Sequence, residues 1–388
     1  MEYNNSRGRI SIFGEHSDWM VALAGEYGEI PKDIVGLSTS INLGISYSVE
    51  KRNDHIVVFN SRINNGYPYN CFLIDVDPNK RTEMNSRTER ILYETVRTAF
   101  SYIYGLNSVS EPESDMISSC SGCIINVLSS DLPMNRGLAS STCLIRAVMF
   151  ELLRINGVYE STPKKTFRDL IQYVEEVING TSAGTDIIVD EMPGLKKVTY
   201  HYDLKNSEVE YETVGEDYDN GLKSRDFLRS GFYIIDTGEK KAGTNSIIKA
   251  IRGLIEDKGS YQSRNLYKDI INLFGETTTN CSTIAINIIN SDIPMEDKKK
   301  AIGSLMWEYQ KQFSFIFRRS DLPDYLVDKE SCELIKRLMN KNIIHGGKVM
   351  GSHGGTCILV LTKESITETD LETEVLKSDD SYKVYKIS

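Results

Sequence analysis

No run of apolar residues in this 388-residue chain approaches the roughly 20 that a membrane-spanning helix requires, so a membrane is not an expected partner. The opening, Met1-Glu2-Tyr3-Asn4-Asn5-Ser6, lacks the basic and apolar parts of a secretory signal, and a cytoplasmic location is the expectation that follows. Basic residues are in deficit: 45 Lys and Arg against 55 Asp and Glu leave a formal charge of −10. Such a chain repels a phosphodiester backbone on average, which excludes nucleic acid as the main partner. Paired cysteines are scarce as well. The seven stand at 71, 120, 123, 143, 281, 332 and 357, and only Cys120-Ser-Gly-Cys123 has a redox or metal spacing. With no second Cys/His pair nearby, that pair does not complete a four-ligand zinc site, and buried thiols are expected instead. Internal repeats and low-complexity tracts are also lacking.

What is present is ordinary globular sequence, 40% hydrophobic and 26% charged. The length suggests two domains, placed at 1–207 and 208–388, with the acidic, glycine-containing stretch Glu208 to Asp226 as a loose connection. Arg9 to Phe13 alternates polar and apolar residues up to Gly14 and reads as a strand entering a turn. Ser38 to Ser48 and His55 to Asn60, separated by the polar Glu50 to Asp54, suggest a hairpin. Helical spacing of apolar residues predicts helices over Arg87 to Tyr104, Ser140 to Ile155, Thr166 to Ile178 and Ile302 to Phe317. Cys123 to Leu128, Gly231 to Asp236 and Cys357 to Leu361 read as strands, and Cys281 to Ile289 as strand or helix. Elements mixed in this way predict an α+β fold.

Three polar loops stand out. Pro133-Met134-Asn135-Arg136-Gly137-Leu138-Ala139-Ser140-Ser141-Thr142 joins a strand to a helix start, where backbone N–H groups carry partial positive charge and glycine lets a phosphate approach. No Lys stands where a Walker A sequence needs one, and a simply capped helix has the same appearance. Gly180 to Asp186 follows a helix carrying Glu175 and places Asp186 before an apolar run, where a base could meet a hydroxyl. Glu175 with one Ser hydroxyl would be enough for Mg²⁺, which commonly takes only one or two protein oxygens; a turn aspartate and a solvated helix charge are the plain alternatives. Glu15, His16 and Asp18 after the first strand offer acceptors and donors to a polyhydroxylated ligand. Lys348 to Cys357 is a glycine-rich loop entering a strand.

In this order the segments resemble the signatures of the GHMP kinase superfamily. Arg9-Ile10-Ser11-Ile12-Phe13-Gly14-Glu15-His16-Ser17-Asp18-Trp19 is similar to the galactokinase opening Arg-x-Asn-Leu-Ile-Gly-Glu-His-Thr-Asp-Tyr. Pro133 to Thr142 resembles the phosphate loop Pro-x-x-x-Gly-Leu-Gly-Ser-Ser-Ala, and Lys348 to Cys357 resembles Lys-x-x-Gly-Ala-Gly-Gly-Gly-Gly-Cys. Glu175 to Asp186 is similar to the mevalonate kinase stretch Glu-x-x-x-x-Gly-x-x-Ser-Gly-x-Asp.

The resemblance implies a two-domain kinase fold, with an N-terminal domain like that of a small-subunit ribosomal protein and a ferredoxin-like C-terminal domain. It implies ATP, held by Pro133, Arg136, Gly137, Leu138, Ala139, Ser140, Ser141 and Thr142, and Mg²⁺, held by Ser141 and Glu175. Asp186 would act as base or orient the acceptor, Arg9 would stabilise the transferred phosphoryl group, and Glu15, His16, Asp18 and Gly184 would line the acceptor. A monosaccharide phosphorylated on its anomeric hydroxyl is expected, because Asp18 keeps an acid where mevalonate kinases continue Ala-Val-Val-Tyr. A non-sugar alcohol acceptor and a silent sugar sensor are the rivals, and the protein is expected to be a monomer or homodimer. Arg136 departs from the family pattern by adding a positive side chain to the phosphate loop, and Ser352 and His353 interrupt the third motif's glycines and make that loop bulkier.

Overall fold

A computed structural model of the protein describes residues 4–25, 28–61, 70–75, 84, 86–105, 120–132, 138–179, 194–203, 208–214, 226–238, 244–256, 261–318, 329–351 and 357–387. In chain order the main elements are β1 (Asn4–Phe13), α1 (Ser17–Ala22), β2 (Asp33–Lys51), β3 (Val57–Ser61), β4 (Asn70–Ile74), α2 (Arg87–Ile103), β5 (Cys123–Ser130), α3 (Ser140–Ile155) and α4 (Lys164–Asn179). There follow β6 (Leu195–Asp203), β7 (Glu208–Val214), β8 (Phe232–Asp236), α5 (Thr244–Glu256), α6 (Tyr261–Asn272), a π turn (Leu273–Thr277) and α7 (Thr278–Asn290). The chain ends through α8 (Met295–Arg318), α9 (Lys329–Asn340), β9 (Ile344–Val349), β10 (Cys357–Thr362), α10 (Glu368–Leu376) and β11 (Lys383–Lys386). The fold is α+β, as expected.

The residues gather into two compact units, one of Met1–Gly8, Leu43–Met134 and Ala139–Ile187, the other of Arg9–Asn42, Asn135–Leu138 and Ile188–Ser388. In the first, the later half of β2 pairs antiparallel with β5, β5 runs parallel to β3, and β3 pairs antiparallel with β4. The expected hairpin of β2 with β3 is therefore not formed, because β5 lies between them. The polar bend between them instead holds the start of β5: Arg52 N donates to Gly122 O at 3.0 Å and Gly122 N to Asp54 O at 2.5 Å. Helix α2 packs on α3 and α4. Of its apolar stripe Ile91, Leu92, Thr95, Val96, Ala99 and Ile103, all but the last are buried and Ile103 is half-buried at the helix end, and Ser86 caps its start by accepting from Glu89 N at 3.1 Å.

In the second unit the first half of β2 pairs with β6 and β6 with β7, all antiparallel. The stretch expected to be a loose connection thus begins as a strand, β7, whose Glu208, Glu210 and Glu212 alternate with Val209, Tyr211 and Thr213. A separate antiparallel sheet has the order β11-β8-β10-β9. All six residues of β10 are buried, which is why it reads as a continuous apolar run. Cys281 to Ile289 is helical, within α7.

None of the seven cysteines forms a disulfide, and all but Cys71 are buried; burial pushes the Cys123 thiol up to about 12. Among the described residues no helix is long and apolar enough to cross a membrane.

Helix α8 lies against β9 with backbone on backbone: a Cβ added to Gly346 would stand 1.9 Å from the Gly303 carbonyl oxygen. Gly346→Ala is therefore expected to lower stability by about 3 kcal/mol, since neither backbone can move aside. Urea unfolding would check this, and an unchanged midpoint would contradict the packing described.

Candidate active site

In the first unit the site is built on the start of α3. Ala139, the N-cap residue, has φ 61° and ψ 30° and makes no side-chain cap, so the plainly capped helix considered above is not what forms. Its carbonyl accepts the first helical bond, from Cys143 N at 3.0 Å. A left-handed residue here turns the chain sharply into the helix, a conformation that costs an L-residue about 1–2 kcal/mol. Ser140 and Thr142 are buried and Ser141 is partly exposed. Thr142 Oγ1 donates to Glu175 Oε1 at 2.5 Å, joining α3 to α4, and the Glu175 side chain is itself buried.

This donor set has the chemistry Mg²⁺ prefers: one carboxylate and neighbouring hydroxyls at a helix start, all hard oxygens. Among the described residues no group of three or more His, Cys, Asp and Glu is placed to hold a metal alone. Any ion here would need further oxygens from phosphate or water. Pro133, Arg136, Gly137, Gly184 and Asp186 lie outside the described residues, as do Ser352 and His353.

In the second unit a polar cluster forms where β1 ends. Gly14 takes φ 108°, and a Cβ there would meet the Gly36 Cα at 2.9 Å, so only glycine lets β1 turn toward α1. The Glu15 carboxylate then points inward and accepts a hydrogen bond from Lys348 Nζ, on β9; both side chains are buried. Lys348 Nζ also donates to Ser11 O at 3.4 Å. Arg9 is buried and donates from Nη1 to Ser11 Oγ at 2.9 Å, while Ser11 Oγ lies 2.9 Å from Ser38 Oγ.

Burial pushes the Glu15 carboxyl up, against the pull of Lys348 and Arg9, and pushes the Lys348 amine down against the pull of Glu15. Burial chiefly, and then the Glu15 charge, pushes the Tyr309 hydroxyl up, and that hydroxyl lies 3.1 Å from Thr278 Oγ1. Glu15 Oε2 is buried with no hydrogen-bond partner among the described residues.

His16 and Asp18 are also buried. The His16 ring sits against Phe274, centroids 4.6 Å apart, and Nδ1 accepts from Trp19 Nε1 at 3.0 Å. Asp18 Oδ1 accepts from Trp19 N at 2.8 Å in the first turn of α1. Of the expected residues, then, Thr142 meets Glu175, and Arg9 shares its cluster with Glu15. Lys348 was read only as the opening of a loop. Its signal was a lone cation against apolar Val349-Met350, but its partner lies 333 positions away.

Two variants test this geometry. Ala139→Gly removes the left-handed strain and is expected to stabilise the protein by about 1 kcal/mol in urea unfolding. Lys348→Met leaves Glu15 buried without its counter-charge and is expected to cost about 3–5 kcal/mol, partly recovered by adding Glu15→Gln. Equal losses in the single and double variants would show that the pair is not coupled.

The sequence matches no family model and no curated protein. Solved structures do match. A Lactococcus lactis galactokinase complexed with galactose superposes with a TM-score of 0.66 at 15% identity, covering 100% of this chain and 93% of its own. The Methanococcus jannaschii mevalonate kinase gives 0.60 at 16% identity, covering 100% and 98%. Streptococcus pneumoniae phosphomevalonate kinase in complex with phosphomevalonate and AMPPNP gives 0.60 at 12% identity, covering 100% and 99%. These are GHMP-family kinases, and the chain has their fold from end to end.

Proposed function

We propose that the protein is an ATP-dependent small-molecule kinase that transfers the γ-phosphoryl group to a hydroxyl of a monosaccharide, the anomeric one. The observation that carries this reading is the Thr142–Glu175 hydrogen bond, which sets the serine-rich start of α3 beside a buried carboxylate in a chain with this fold. Support for a sugar comes from the residue types Glu15, His16 and Asp18 after β1, which suit a polyhydroxylated ligand, and from Glu15 Oε2, which is buried with no hydrogen-bond partner among the described residues.

Pro133 to Thr142 is assigned to the ATP phosphates, which suit the partial positive charge of a helix start. Ser141 and Glu175 are assigned to Mg²⁺, which when bound with ATP supplies charge neutralisation at the β- and γ-phosphates. Asp186 is assigned the acceptor hydroxyl: it takes the proton as the oxygen attacks phosphorus, while the bond from phosphorus to the departing ADP oxygen breaks. Arg9 is assigned the developing charge on the transferred group, and Gly184 the backbone beside the acceptor. Phosphoryl transfer asks little covalent chemistry of the protein, so positioning and electrostatics account for most of the rate. A second reading, a non-sugar alcohol as acceptor, draws support from the mevalonate and phosphomevalonate kinases that share the fold over the whole chain.

ATP consumption with Mg²⁺ and a panel of hexoses, deoxyhexoses, uronic acids, heptoses, mevalonate and homoserine tests both readings. Turnover with a sugar is expected. Turnover with mevalonate or homoserine alone would replace the first reading by the second, and nucleotide binding without turnover on any acceptor would leave a sensor. Asp186→Ala should lower turnover by about 10²-fold or more while ATP still binds, and Ser141→Ala should raise the Mg²⁺ requirement. Retained turnover in the first variant would remove Asp186 from the mechanism.

A further inference from the structure

We propose that Thr142 is a positioning residue that holds the Glu175 carboxylate in place for a divalent cation. The inference rests on the kinase reading above and adds a residue to it. The phosphate loop that this sequence resembles ends in alanine, which has no hydroxyl, whereas this chain has threonine there.

A threonine within a helix ordinarily turns its hydroxyl back to the carbonyl four residues earlier. Thr95 does so in α2, donating to Ile91 O at 2.7 Å. Thr142 does not: its Oγ1 reaches to α4 and donates to Glu175 Oε1 at 2.5 Å. Leu138, four residues earlier, precedes the N-cap, and its carbonyl accepts from Arg9 N at 3.3 Å. The hydroxyl is therefore directed at a carboxylate 33 positions further along, and both side chains are nine-tenths or more buried.

A buried carboxylate needs donors, and a short hydrogen bond also helps fix its rotamer. Two carboxylate oxygens offer about four acceptor sites, so a hydroxyl on one of them does not by itself exclude a cation. Partners that orient a metal ligand in this way typically change metal affinity by about 10–100-fold when removed. The β-branched Thr142 side chain has restricted χ1 freedom in a helix, so the hydroxyl is held ready rather than recruited.

The test uses the full chain, Mn²⁺ as the cation and AMPPNP as the nucleotide, with bound Mn²⁺ followed by electron paramagnetic resonance. Thr142→Val keeps the shape without the hydroxyl and is expected to weaken Mn²⁺ uptake about tenfold. Thr142→Ser keeps the hydroxyl and should stay within about twofold of wild type in Mn²⁺ uptake. If Thr142→Val lowers Tm but leaves Mn²⁺ affinity as it was, or tightens it, the hydroxyl only ties α3 to α4 or competes with the ion, and the inference is overturned. Thr142→Ala repeats the comparison should the valine variant fail to fold. Failure of wild type to take up Mn²⁺ with AMPPNP would overturn the kinase reading itself, an outcome separate from equal uptake by wild type and variant.

Discussion

The ion pair of Lys348 with Glu15 is the constraint around which the polar interior of the second unit is arranged. Removing an ammonium and a carboxylate from water costs several kcal/mol each, so neither side chain is tolerable there without the other. Each is fully enclosed, and together they tie the turn after β1 to β9. Arg9, Ser11 and Ser38 complete a connected set in which charge and hydroxyl are matched rather than merely enclosed. Burial drives the Glu15 carboxyl up and the Lys348 amine down, the direction in which an unshielded pair would lose its charge. Their contact opposes that tendency and ties the strand end to β9.

The first unit solves a different problem, the exposure of a helix start. Helices α2, α3 and α4 pack together, and their buried stripes fix the direction in which α3 leaves the sheet. Ala139 then takes a backbone conformation that an L-residue accepts only at a cost, without capping the helix by its own side chain. Strain held at such a place points to a use for the helix end, and the Thr142–Glu175 bond beside it fixes a buried carboxylate through a hydroxyl of the neighbouring helix. The two units thus place charge in different ways: one by a buried ion pair, the other by a helix start and a carboxylate oriented by a hydroxyl.

Both devices suit the phosphoryl transfer proposed for this chain, whose barrier is lowered mainly by placing groups and neutralising charge. Neither needs a nucleophilic side chain. The buried thiols agree with that division: Cys123 is pushed away from the thiolate by burial, so it serves packing.

Elements with a local signature were legible in the sequence. The apolar period of α2 and α3 gave their spans almost to the residue, and the unbroken apolar run of β10 gave a strand buried throughout. The order of motifs gave the kinase fold that solved structures share over the whole chain. Pairing was not legible. The bend between β2 and β3 looks like a hairpin turn because turn chemistry is local, whereas the insertion of β5 depends on a segment more than sixty residues away. Glu208–Val214, which pairs along β6, does alternate Glu208, Glu210 and Glu212 with Val209, Tyr211 and Thr213, but this strand period is hidden when the whole acidic stretch to Asp226 is read as one connection. Glu15 with Lys348, and Thr142 with Glu175, were visible only as separate residues. The sequence by itself determined which segments become helix or strand and which chemistry they carry, since both follow from neighbours a few positions apart. Only the tertiary structure decided which of those groups meet, because burial prices a charge or a hydroxyl by what lies opposite it, and what lies opposite comes from a distant part of the chain.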